Sequence, residues 1–291
     1  MNKWDKFTPQ LTADGSFTLF SNEFGESFHT QWGARAESLI KFVDTAQIQH
    51  KAQQPTLRVL DVCYGLGYNT AAALENIWQV NPNCRVELVG LELDSDVPKA
   101  AIEGGLLNIW NPNIIQIVTA LATSHQVKTD RLQATLLIGD ARTTIGQIVE
   151  SGVLADAIFL DPFSPTKCPQ LWTVEFLDKV AKCLKPDGRL ATYSCAAAVR
   201  TALRAVGLKI ASSARVGRRS PGTVASFATE DLPPLSKQEE EHLQTKAAIP
   251  YRDRNLCDSA AAILLRRQIE QQASTLEPSS HWKRRWLNST H

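Results

Sequence analysis

Residues 57–67 read Leu-Arg-Val-Leu-Asp-Val-Cys-Tyr-Gly-Leu-Gly, and this stretch decides the fold. Its first half is a short apolar run with β-branched side chains, which predicts a buried strand. Gly65 and Gly67 then predict a tight turn where the backbone can approach a ligand closely, because glycine lacks a Cβ and tolerates positive φ. Residues 68–80 have helical spacing, so the stretch begins a strand–turn–helix unit.

The same alternation of strand and helix continues along the chain. We predict strands at 86–92, 132–138, 156–160 and 190–194, and helices at 144–149, 171–184 and 196–206, with a turn at 185–188. Strands separated by helices imply a parallel sheet with helices on both faces. Two further strands, at 209–216 and 223–229, have no helix between them. We therefore expect a mostly parallel α/β sheet that ends in an antiparallel hairpin.

The chain divides into three parts by pattern. Residues 1–50 are mixed, with a strand-like stretch at 17–20 and helical spacing at 34–46, and predict an N-terminal extension over the active site. Residues 51–230 hold the strand–helix alternation and predict one domain. Pro233-Pro234 marks a boundary, and residues 231–291 predict a helical C-terminal extension.

Composition describes an ordinary globular protein of 291 residues, with 43% hydrophobic and 21% charged side chains. The net charge of +1 excludes binding to polyanions through overall basicity, although residues 189–229 contain basic side chains and no acidic one. Six cysteines include no Cys-x-x-Cys pair, which favours reduced thiols over a metal site. We find neither a secretory signal nor an apolar run long enough for a membrane. We expect a cytoplasmic protein with no metal and no membrane contact.

Four predicted strands end on an acid: Asp61, Glu92, Asp140 and Asp161. The carboxyl ends of parallel strands meet at one edge of a sheet, where ligands bind. Glu92 is placed to accept hydrogen bonds from ribose hydroxyls, and Asp140 with the Ala141 amide is placed to read an adenine edge. The glycine loop lacks the third glycine of the dinucleotide fingerprint, because Thr70 stands there. This disfavours NAD.

The segment Asp161-Pro162-Phe163-Ser164-Pro165 is the most informative one for chemistry. Proline removes a backbone N–H and so ends the strand, which leaves the Asp161 carboxylate at the mouth of the sheet. An amine must lose a proton before its lone pair can attack, and a nearby carboxylate can orient the amine and accept that proton. The segment resembles the Asp/Asn-Pro-Pro-aromatic sequence that amino-group methyltransferases have at this place, and this resemblance implies chemistry on an amine. A strand-end turn with a solvated acid is the alternative.

Residues 161–173, Asp-Pro-Phe-Ser-Pro-Thr-Lys-Cys-Pro-Gln-Leu-Trp-Thr, resemble the Asp-Gly-Phe-Ala-Pro-Ala-Lys-Asn-Pro-x-Met-Trp-Thr signature of the MnmC methyltransferase-domain family. Residues 61–69 resemble the family's Glu-x-Gly-Phe-Gly-Thr-Gly-Leu-Asn, and Gly217-Arg218-Arg219 resembles its Gly-Arg-Lys. The resemblance extends over roughly residues 8–260. Two positions depart from the pattern, since Cys63 and Pro162 stand where the family has glycine.

The resemblance implies a Rossmann-like S-adenosylmethionine methyltransferase. Its cofactor would be S-adenosyl-L-methionine and its partner tRNA, with methylation of the aminomethyl nitrogen of 5-aminomethyl-(2-thio)uridine at the wobble position. Bifunctional members also carry a flavin-dependent oxidase domain, for which this chain leaves no room. We therefore expect the aminomethyl substrate to come from another enzyme.

The site residues follow from the motifs and the resemblance together. Asp161 is predicted to be catalytic. The predicted cofactor-binding residues are Asp61, Gly65, Gly67, Asn69, Glu92, Asp140 and Ala141. The predicted substrate-binding residues are Phe163, Lys167, His29, Arg218 and Arg219.

Several of these positions have a structural alternative. His29 can be a hydrogen-bonded structural histidine, and Arg218 and Arg219 can be a solvated turn. The segment 282–286, Trp-Lys-Arg-Arg-Trp, either stacks on nucleotides or docks a helix end through its tryptophans.

Two other functions stay open at the level of sequence. An aminopropyltransferase of the spermidine-synthase type uses the same sheet with a decarboxylated cofactor, and needs additional acids to hold a polyamine. An RNA-binding protein with a vestigial cofactor pocket is the other. The acids at all four strand ends argue against the second alternative, and binding of S-adenosylmethionine would test it.

Overall fold

The computed structural model describes residues 6–216 and 220–288. Its strands are β1 (Phe7–Leu11), β2 (Phe17–Ser21), β3 (Glu26–Ser27), β4 (Thr56–Val62), β5 (Arg85–Glu92), β6 (Gln126–Lys128), β7 (Leu132–Ile138), β8 (Ala155–Leu160), β9 (Leu184–Thr192), β10 (Lys209–Ser212) and β11 (Thr223–Ser226). Its α-helices are α1 (Ala34–Glu37), α2 (Ile48–Lys51), α3 (Tyr68–Val80), α4 (Asp96–Glu103), α5 (Pro112–Ser124), α6 (Ala141–Ser151), α7 (Val174–Lys182), α8 (Ala197–Ala205), α9 (Lys237–His242), α10 (Ala260–Ala273) and α11 (Ser279–Asn288).

The central sheet has the strand order β10-β11-β9-β8-β4-β5-β7-β6. Strands β9, β8, β4, β5 and β7 run parallel to one another, whereas β10 and β11 form an antiparallel hairpin that pairs with β9 at one edge. This confirms the predicted fold class. The short strand β6 adds an antiparallel strand at the other edge, which was not predicted.

The order of the strands reverses at β4. From β4 the chain runs outward through β5 and β7, and then returns to place β8 on the opposite side of β4. In a parallel sheet, such a reversal opens a crevice at the carboxyl ends of the two strands, because the connecting helices leave on opposite faces. The glycine loop follows β4 and Asp161 follows β8, so the fold places both beside that crevice.

The boundaries around β9 differ from the prediction. The helix predicted over 171–184 is shorter, because Thr173 caps α7 by accepting a hydrogen bond from the Phe176 amide, and a 3-10 turn (Pro169–Trp172) precedes it. The strand begins at Leu184. Its pairing with β8 jumps from Leu184 to Arg189, so the predicted turn at 185–188 lies inside the strand as an irregularity.

The N-terminal segment forms its own antiparallel sheet of β1, β2 and β3. Sequence analysis predicted only one strand there. The helical spacing at 34–46 corresponds to α1 followed directly by a π-helix, Ser38–Asp44. Helix α5 was also not predicted, although its start is marked by Asn111, whose side chain caps the helix, and by Pro112 at the first turn.

The C-terminal extension is joined to the sheet through a buried arginine. Arg200 on α8 is 3% exposed and donates to Glu239 of α9 at 2.9 Å. Trp282 stacks on His242 with ring centroids 4.1 Å apart, and the Trp286 indole donates to Glu241. The tryptophans of α11 therefore dock a helix end on α9. Among the described residues, no helix is long and apolar enough to cross a membrane.

Candidate active site

A cavity of about 870 Å³ lies at the carboxyl ends of β4, β5 and β8. Its floor is formed by Cys63, Gly65 and Asn69 of the loop and helix after β4, with Glu92 at the end of β5 and Asp161 after β8. The N-terminal segment contributes the opposite wall, through Phe24, Phe28 and His29 among others. Three predicted groups of residues, distant in sequence, thus meet in one cavity.

The glycine loop has the backbone shape that its sequence predicts. Gly65 and Gly67 have φ of 57° and 85°, in the left-handed region that favours glycine. A Cβ on Gly67 would lie 2.7 Å from the Tyr64 hydroxyl, so this position also has no space for a side chain. Cys63, where the family has glycine, has φ of 67°. The cysteine therefore adopts the glycine-like conformation, at a cost in backbone strain of roughly 1 kcal/mol.

Glu92 lines the cavity and is held by the backbone. Its two carboxylate oxygens accept hydrogen bonds from the amides of Gly65, at 2.8 Å, and Asp94, at 2.9 Å. Burial raises the pKa of Glu92 to about 7, although these amides and that of Leu93 act in the opposite direction. The bond to Gly65 connects the end of β5 with the glycine loop, so the acid and the loop form one rigid unit.

Asp161 lines the cavity directly after β8. Its backbone amide donates to the Val62 carbonyl at 3.1 Å, which continues the β4–β8 ladder for one residue beyond the strand. One carboxylate oxygen accepts a hydrogen bond from the side-chain amide of Asn69 at 2.8 Å. Tyr193 donates to the Pro162 carbonyl at 2.9 Å and fixes the following peptide. The carboxylate is therefore held in place from two neighbouring elements.

Aromatic rings line the cavity next to Asp161. Phe163 stacks on Phe24, with ring centroids 4.4 Å apart, and meets Phe28 edge to face at 5.0 Å. The Ser164 backbone and hydroxyl both donate to the Glu26 carboxylate. These contacts attach the turn between β2 and β3 to the segment after β8, so the predicted substrate residue Phe163 lies between the sheet and the N-terminal segment.

His29 lines the cavity but is 9% exposed. Its ring nitrogen Nδ1 lies 3.2 Å from the Thr18 hydroxyl, and its ring meets Tyr68 edge to face at 4.9 Å. Burial lowers the pKa of His29 to about 4, against the opposing charges of Glu37 and Asp14. The imidazole is therefore neutral at pH 7.

Five predicted site residues are not among the described residues that line the cavity: Asp61, Gly67, Asp140, Ala141 and Lys167. Asp61 is fully buried beneath the loop and accepts from the Thr70 hydroxyl at 2.7 Å; burial raises its pKa to about 7. Asp140 caps α6 and forms an ion pair with Arg142 at 2.7 Å. Burial raises the pKa of Asp140, but the hydrogen bonds from Arg142 outweigh it and hold the pKa below its usual value.

The remaining predicted substrate-binding residues are Lys167, Arg218 and Arg219. The Lys167 side chain is exposed, and its Nζ lies beside Gly25 in the turn between β2 and β3. Arg218 and Arg219 lie outside the described residues. The structure does not test the roles of the predicted site residues, so these roles remain predictions.

From the N-terminal part of the cavity wall, sequence analysis named only His29. Phe24, Phe28 and Glu26 come from a segment whose short strands were mostly not predicted, and their role depends on contacts with residues more than 130 positions away. Tyr193 was assigned only to a strand. The clustering of Phe17, Phe20, Phe24 and Phe28 was the signal available, because so many aromatic rings in a short segment require a partner surface.

The cavity is strongly acidic. Its lining contains the carboxylates of Glu23, Glu26, Glu37, Glu92, Asp94 and Asp161. Lys6 is the sole lysine or arginine among the described lining residues, and it pairs with Asp94 at 3.0 Å. A negative cavity favours cationic ligands and disfavours phosphates inside it.

The arrangement fits S-adenosylmethionine by its donor set. Glu92 offers a carboxylate beside a glycine loop whose backbone leaves room for a close approach, and the surrounding acids suit a sulfonium cation. A glycine loop, an acid after the next strand and a crevice at the reversal point of the sheet are shared by nucleotide-binding α/β sheets. Together with the terminal antiparallel hairpin, they point to the class of S-adenosylmethionine-dependent methyltransferases. A family profile described as S-adenosyl-L-methionine-dependent methyltransferase matches residues 105–228.

More specific similarity extends over most of the chain. The crystal structure of MnmC2 from Aquifex aeolicus is 35% identical, with a TM-score of 0.81, and the match covers 92% of this chain and 86% of that one. An uncharacterized protein of Methanocaldococcus jannaschii is 31% identical over 84% of this chain and 67% of its own length. The chain belongs to the MnmC-like methyltransferase family.

Bifunctional relatives are longer. The tRNA 5-methylaminomethyl-2-thiouridine biosynthesis bifunctional protein MnmC of Ralstonia nicotianae is 29% identical over 76% of this chain, but the match covers 34% of that protein. The chain thus spans about a third of the length of this relative. The activity of the whole bifunctional protein is therefore not carried over to this chain.

Proposed function

We propose that the chain transfers a methyl group from S-adenosyl-L-methionine to the aminomethyl nitrogen of 5-aminomethyl-(2-thio)uridine at the tRNA wobble position. The observation that carries the proposal is the Asp161 carboxylate, which lines an acidic cavity shared with Glu92 and the glycine loop. The names of the similar proteins supply the substrate class.

The chemistry needs a neutral amine in line with the methyl group. The bound cofactor supplies an electrophilic methyl on a sulfonium sulfur. In the proposed site, Asp161 orients the aminomethyl group and accepts the proton that leaves the nitrogen as the nitrogen–carbon bond forms. Asn69 and Tyr193 hold the segment that carries this carboxylate.

The proposed roles of the other residues follow from their positions. Glu92, with Gly65 and Gly67, would hold the cofactor at the glycine loop. Phe163 and Phe24 would contact the pyrimidine ring, because they lie beside the carboxylate that receives its substituent. Since acids line the cavity, the tRNA phosphates would lie outside it, where Arg218 and Arg219 remain candidates to neutralise them.

The acidity of the cavity favours a second candidate function, aminopropyl transfer. The acids of the cavity also suit a polyamine, which an aminopropyltransferase would need. However, several of them are already engaged within the protein: Glu26 accepts from Ser164, and Glu37 from the Thr30 amide at 2.9 Å. The methyltransferase profile favours methyl transfer.

The test uses purified protein and tRNA that carries 5-aminomethyl-2-thiouridine. We expect mass spectrometry of the digested nucleosides to reveal one added methylene group on this nucleoside when S-adenosylmethionine is present. A parallel reaction contains decarboxylated S-adenosylmethionine and a polyamine. Aminopropyl transfer in that reaction, with no methylated nucleoside in the first, would contradict the proposal.

Asp161 provides a mechanistic prediction. Asp161→Ala should bind S-adenosylmethionine with unchanged affinity, because the glycine loop and Glu92 remain. Its single-turnover methylation rate should fall on the order of 10²–10⁴-fold, the usual contribution of a positioned acid–base group. Asp161→Asn separates orientation from proton acceptance, since the amide still accepts a hydrogen bond but has no basic carboxylate. Parental rates in both variants would remove Asp161 from the mechanism.

A further inference from the structure

Asn69 has a contact that its predicted role as a cofactor ligand does not explain. It is the second residue of α3, directly after the glycine loop, and its side chain is 3% exposed. Its amide nitrogen Nδ2 donates to Oδ2 of Asp161 at 2.8 Å, across 92 residues of sequence. The helix after β4 is thereby connected with the acid after β8.

The direction of this amide is determined by its partner. An ionised carboxylate only accepts hydrogen bonds, so the nitrogen of the amide must face Asp161 and the oxygen must face away. The contact therefore orients the Asp161 carboxylate and holds one of its oxygens beside the first turn of α3.

The oxygen of the same side-chain amide is unfavourable for folding. Oδ1 of Asn69 is buried and has no hydrogen-bond partner among the described residues. A buried acceptor without a partner costs free energy, and an apolar side chain of similar shape, such as leucine, would avoid that cost. Asparagine at this position thus carries a folding cost at Oδ1, and the donor to Asp161 is what it provides in return.

We propose that Asn69 is a positioning residue that acts through Asp161, and that it is not a ligand of the cofactor. The inference rests on the proposed function, in which Asp161 receives the proton of the target amine. The floor of the cavity then has two functions. The glycine loop and Glu92 hold the cofactor, whereas the first turn of α3 holds the catalytic carboxylate.

The experiment compares Asn69→Leu with the parent protein. We expect the melting temperature to stay close to that of the parent, because removal of the unpaired oxygen offsets the loss of the donor to Asp161. The dissociation constant for S-adenosylmethionine, measured by calorimetry, should stay within about twofold. The single-turnover rate with saturating tRNA should fall about 10- to 100-fold, the range expected for the loss of a hydrogen bond to a charged group. Asn69→Ala serves as a second variant if leucine prevents folding.

A matched control lies on the same helix. Asn76 is also buried, at 7% exposure, but its side-chain amide donates to the Ala72 carbonyl and its oxygen accepts from Gln49. Asn76→Leu removes satisfied hydrogen bonds away from the cavity. We therefore expect it to lower the melting temperature and leave the methylation rate unchanged, the opposite of the result for Asn69→Leu.

A double-mutant cycle separates action through Asp161 from an independent effect. Adding Asn69→Leu to Asp161→Ala should cause no further loss of rate, because the group that Asn69 positions is already absent. Rate losses that multiply would overturn the inference, as would weaker cofactor affinity in Asn69→Leu. The affinity for S-adenosylmethionine can be measured whatever the methyl acceptor is, so this part of the test does not depend on the proposed function. A parent protein that is inactive on the tRNA would count against the proposed function and not against the role of Asn69.

Discussion

At the scale of single residues, burial sets the ionisation of the groups around the cavity. Glu92 and Asp61 have pKa values raised to about 7, and His29 has one lowered to about 4, in each case chiefly through burial. The neutral form is favoured at all three positions because a charge loses hydration when it is buried. Ligand affinity and stability should therefore depend on pH near neutrality.

Glu92 leads to a prediction for cofactor binding. An ionised carboxylate accepts stronger hydrogen bonds from ribose hydroxyls than a neutral one. We expect the affinity for S-adenosylmethionine to increase as pH rises from 6 to 8, through the raised pKa of Glu92. Glu92→Gln should weaken binding by about 1–3 kcal/mol at pH 8 and remove most of this pH dependence.

Calorimetry at several pH values measures both effects. Asp94→Asn is the control, because Asp94 lines the same cavity but its carboxylate pairs with Lys6. It should leave the pH dependence in place. If Glu92→Gln and the parent bind with equal affinity across this range, Glu92 does not contact the cofactor.

His29 leads to a prediction for stability. Its pKa is near 4 in the folded protein and near 6.5 when unfolded, so the unfolded chain binds the proton first as the pH falls. Stability from this residue is present above pH 6.5 and decreases by about 3 kcal/mol as the pH falls to 4. His29→Gln lacks this loss. Asp61 and Glu92, with raised pKa values, act in the opposite direction in both proteins.

Urea unfolding of parent and His29→Gln at pH 7 and pH 4 measures the difference. The parent should lose more free energy of unfolding than the variant over this interval. Equal losses would mean that the imidazole ionises in the folded protein as it does in water.

At the scale of elements, the N-terminal sheet completes the cavity. The turn between β2 and β3 places Phe24 on Phe163, and β3 places Glu26 on Ser164. Lys6, before β1, forms ion pairs with Asp94 and Asp96. These ion pairs are largely exposed and contribute little to stability. The aromatic contacts are the stronger connection between this sheet and the central one.

Phe24 tests this connection. Phe24→Ala removes the ring that stacks on Phe163, and such a pair contributes about 0.5–1.5 kcal/mol beyond its buried area. We expect the KM for tRNA to rise by roughly 2- to 10-fold while the affinity for S-adenosylmethionine stays the same. Steady-state kinetics measures the change, with Phe17→Ala as the control, because Phe17 of β2 is 40% exposed and is not among the lining residues. Equal effects of the two variants would argue against a role for Phe24 in the cavity.

At the scale of the whole molecule, part of the basic region at 189–229 is structural. Arg200 is 3% exposed and donates to Glu239, Ser212, Thr223 and the Gly222 carbonyl. Arg204, on the surface of the same helix α8, forms an ion pair with Glu240 of α9. Two arginines of this basic region thus have structural partners: Arg200 connects the hairpin with the C-terminal extension, and Arg204 connects α8 with that extension.

Substitution of Glu239 measures how much its ion pair with Arg200 stabilises the fold. Glu239→Ala leaves the buried Arg200 without its carboxylate, and removal of one partner of a buried pair costs about 3 kcal/mol. Glu240→Ala is the matched control, because its partner Arg204 is 40% exposed, and exposed pairs contribute at most about 1 kcal/mol. Urea unfolding compares the two variants, and similar losses would mean that Arg200 gains no more from its pair than Arg204 does.

The sequence by itself determined the central sheet and the position of its chemistry. Local signals were sufficient there: β-branched runs predict buried strands, glycines predict the turn after β4, and acids at strand ends meet because parallel strands end at one edge. Helix α3 and strand β7 have the predicted bounds. The terminal hairpin was predicted because no helical pattern separates its strands.

Tertiary structure alone decided which of these residues reach the cavity. Asp61 and Asp140 end strands just as Glu92 and Asp161 do, yet one is buried beneath the loop against Thr70 and the other pairs with Arg142. The contact of Asn69 with Asp161, the wall formed by Phe24, and the burial of Arg200 depend on segments far apart in the chain. Sequence patterns report local conformation, whereas these contacts arise from the packing of distant elements.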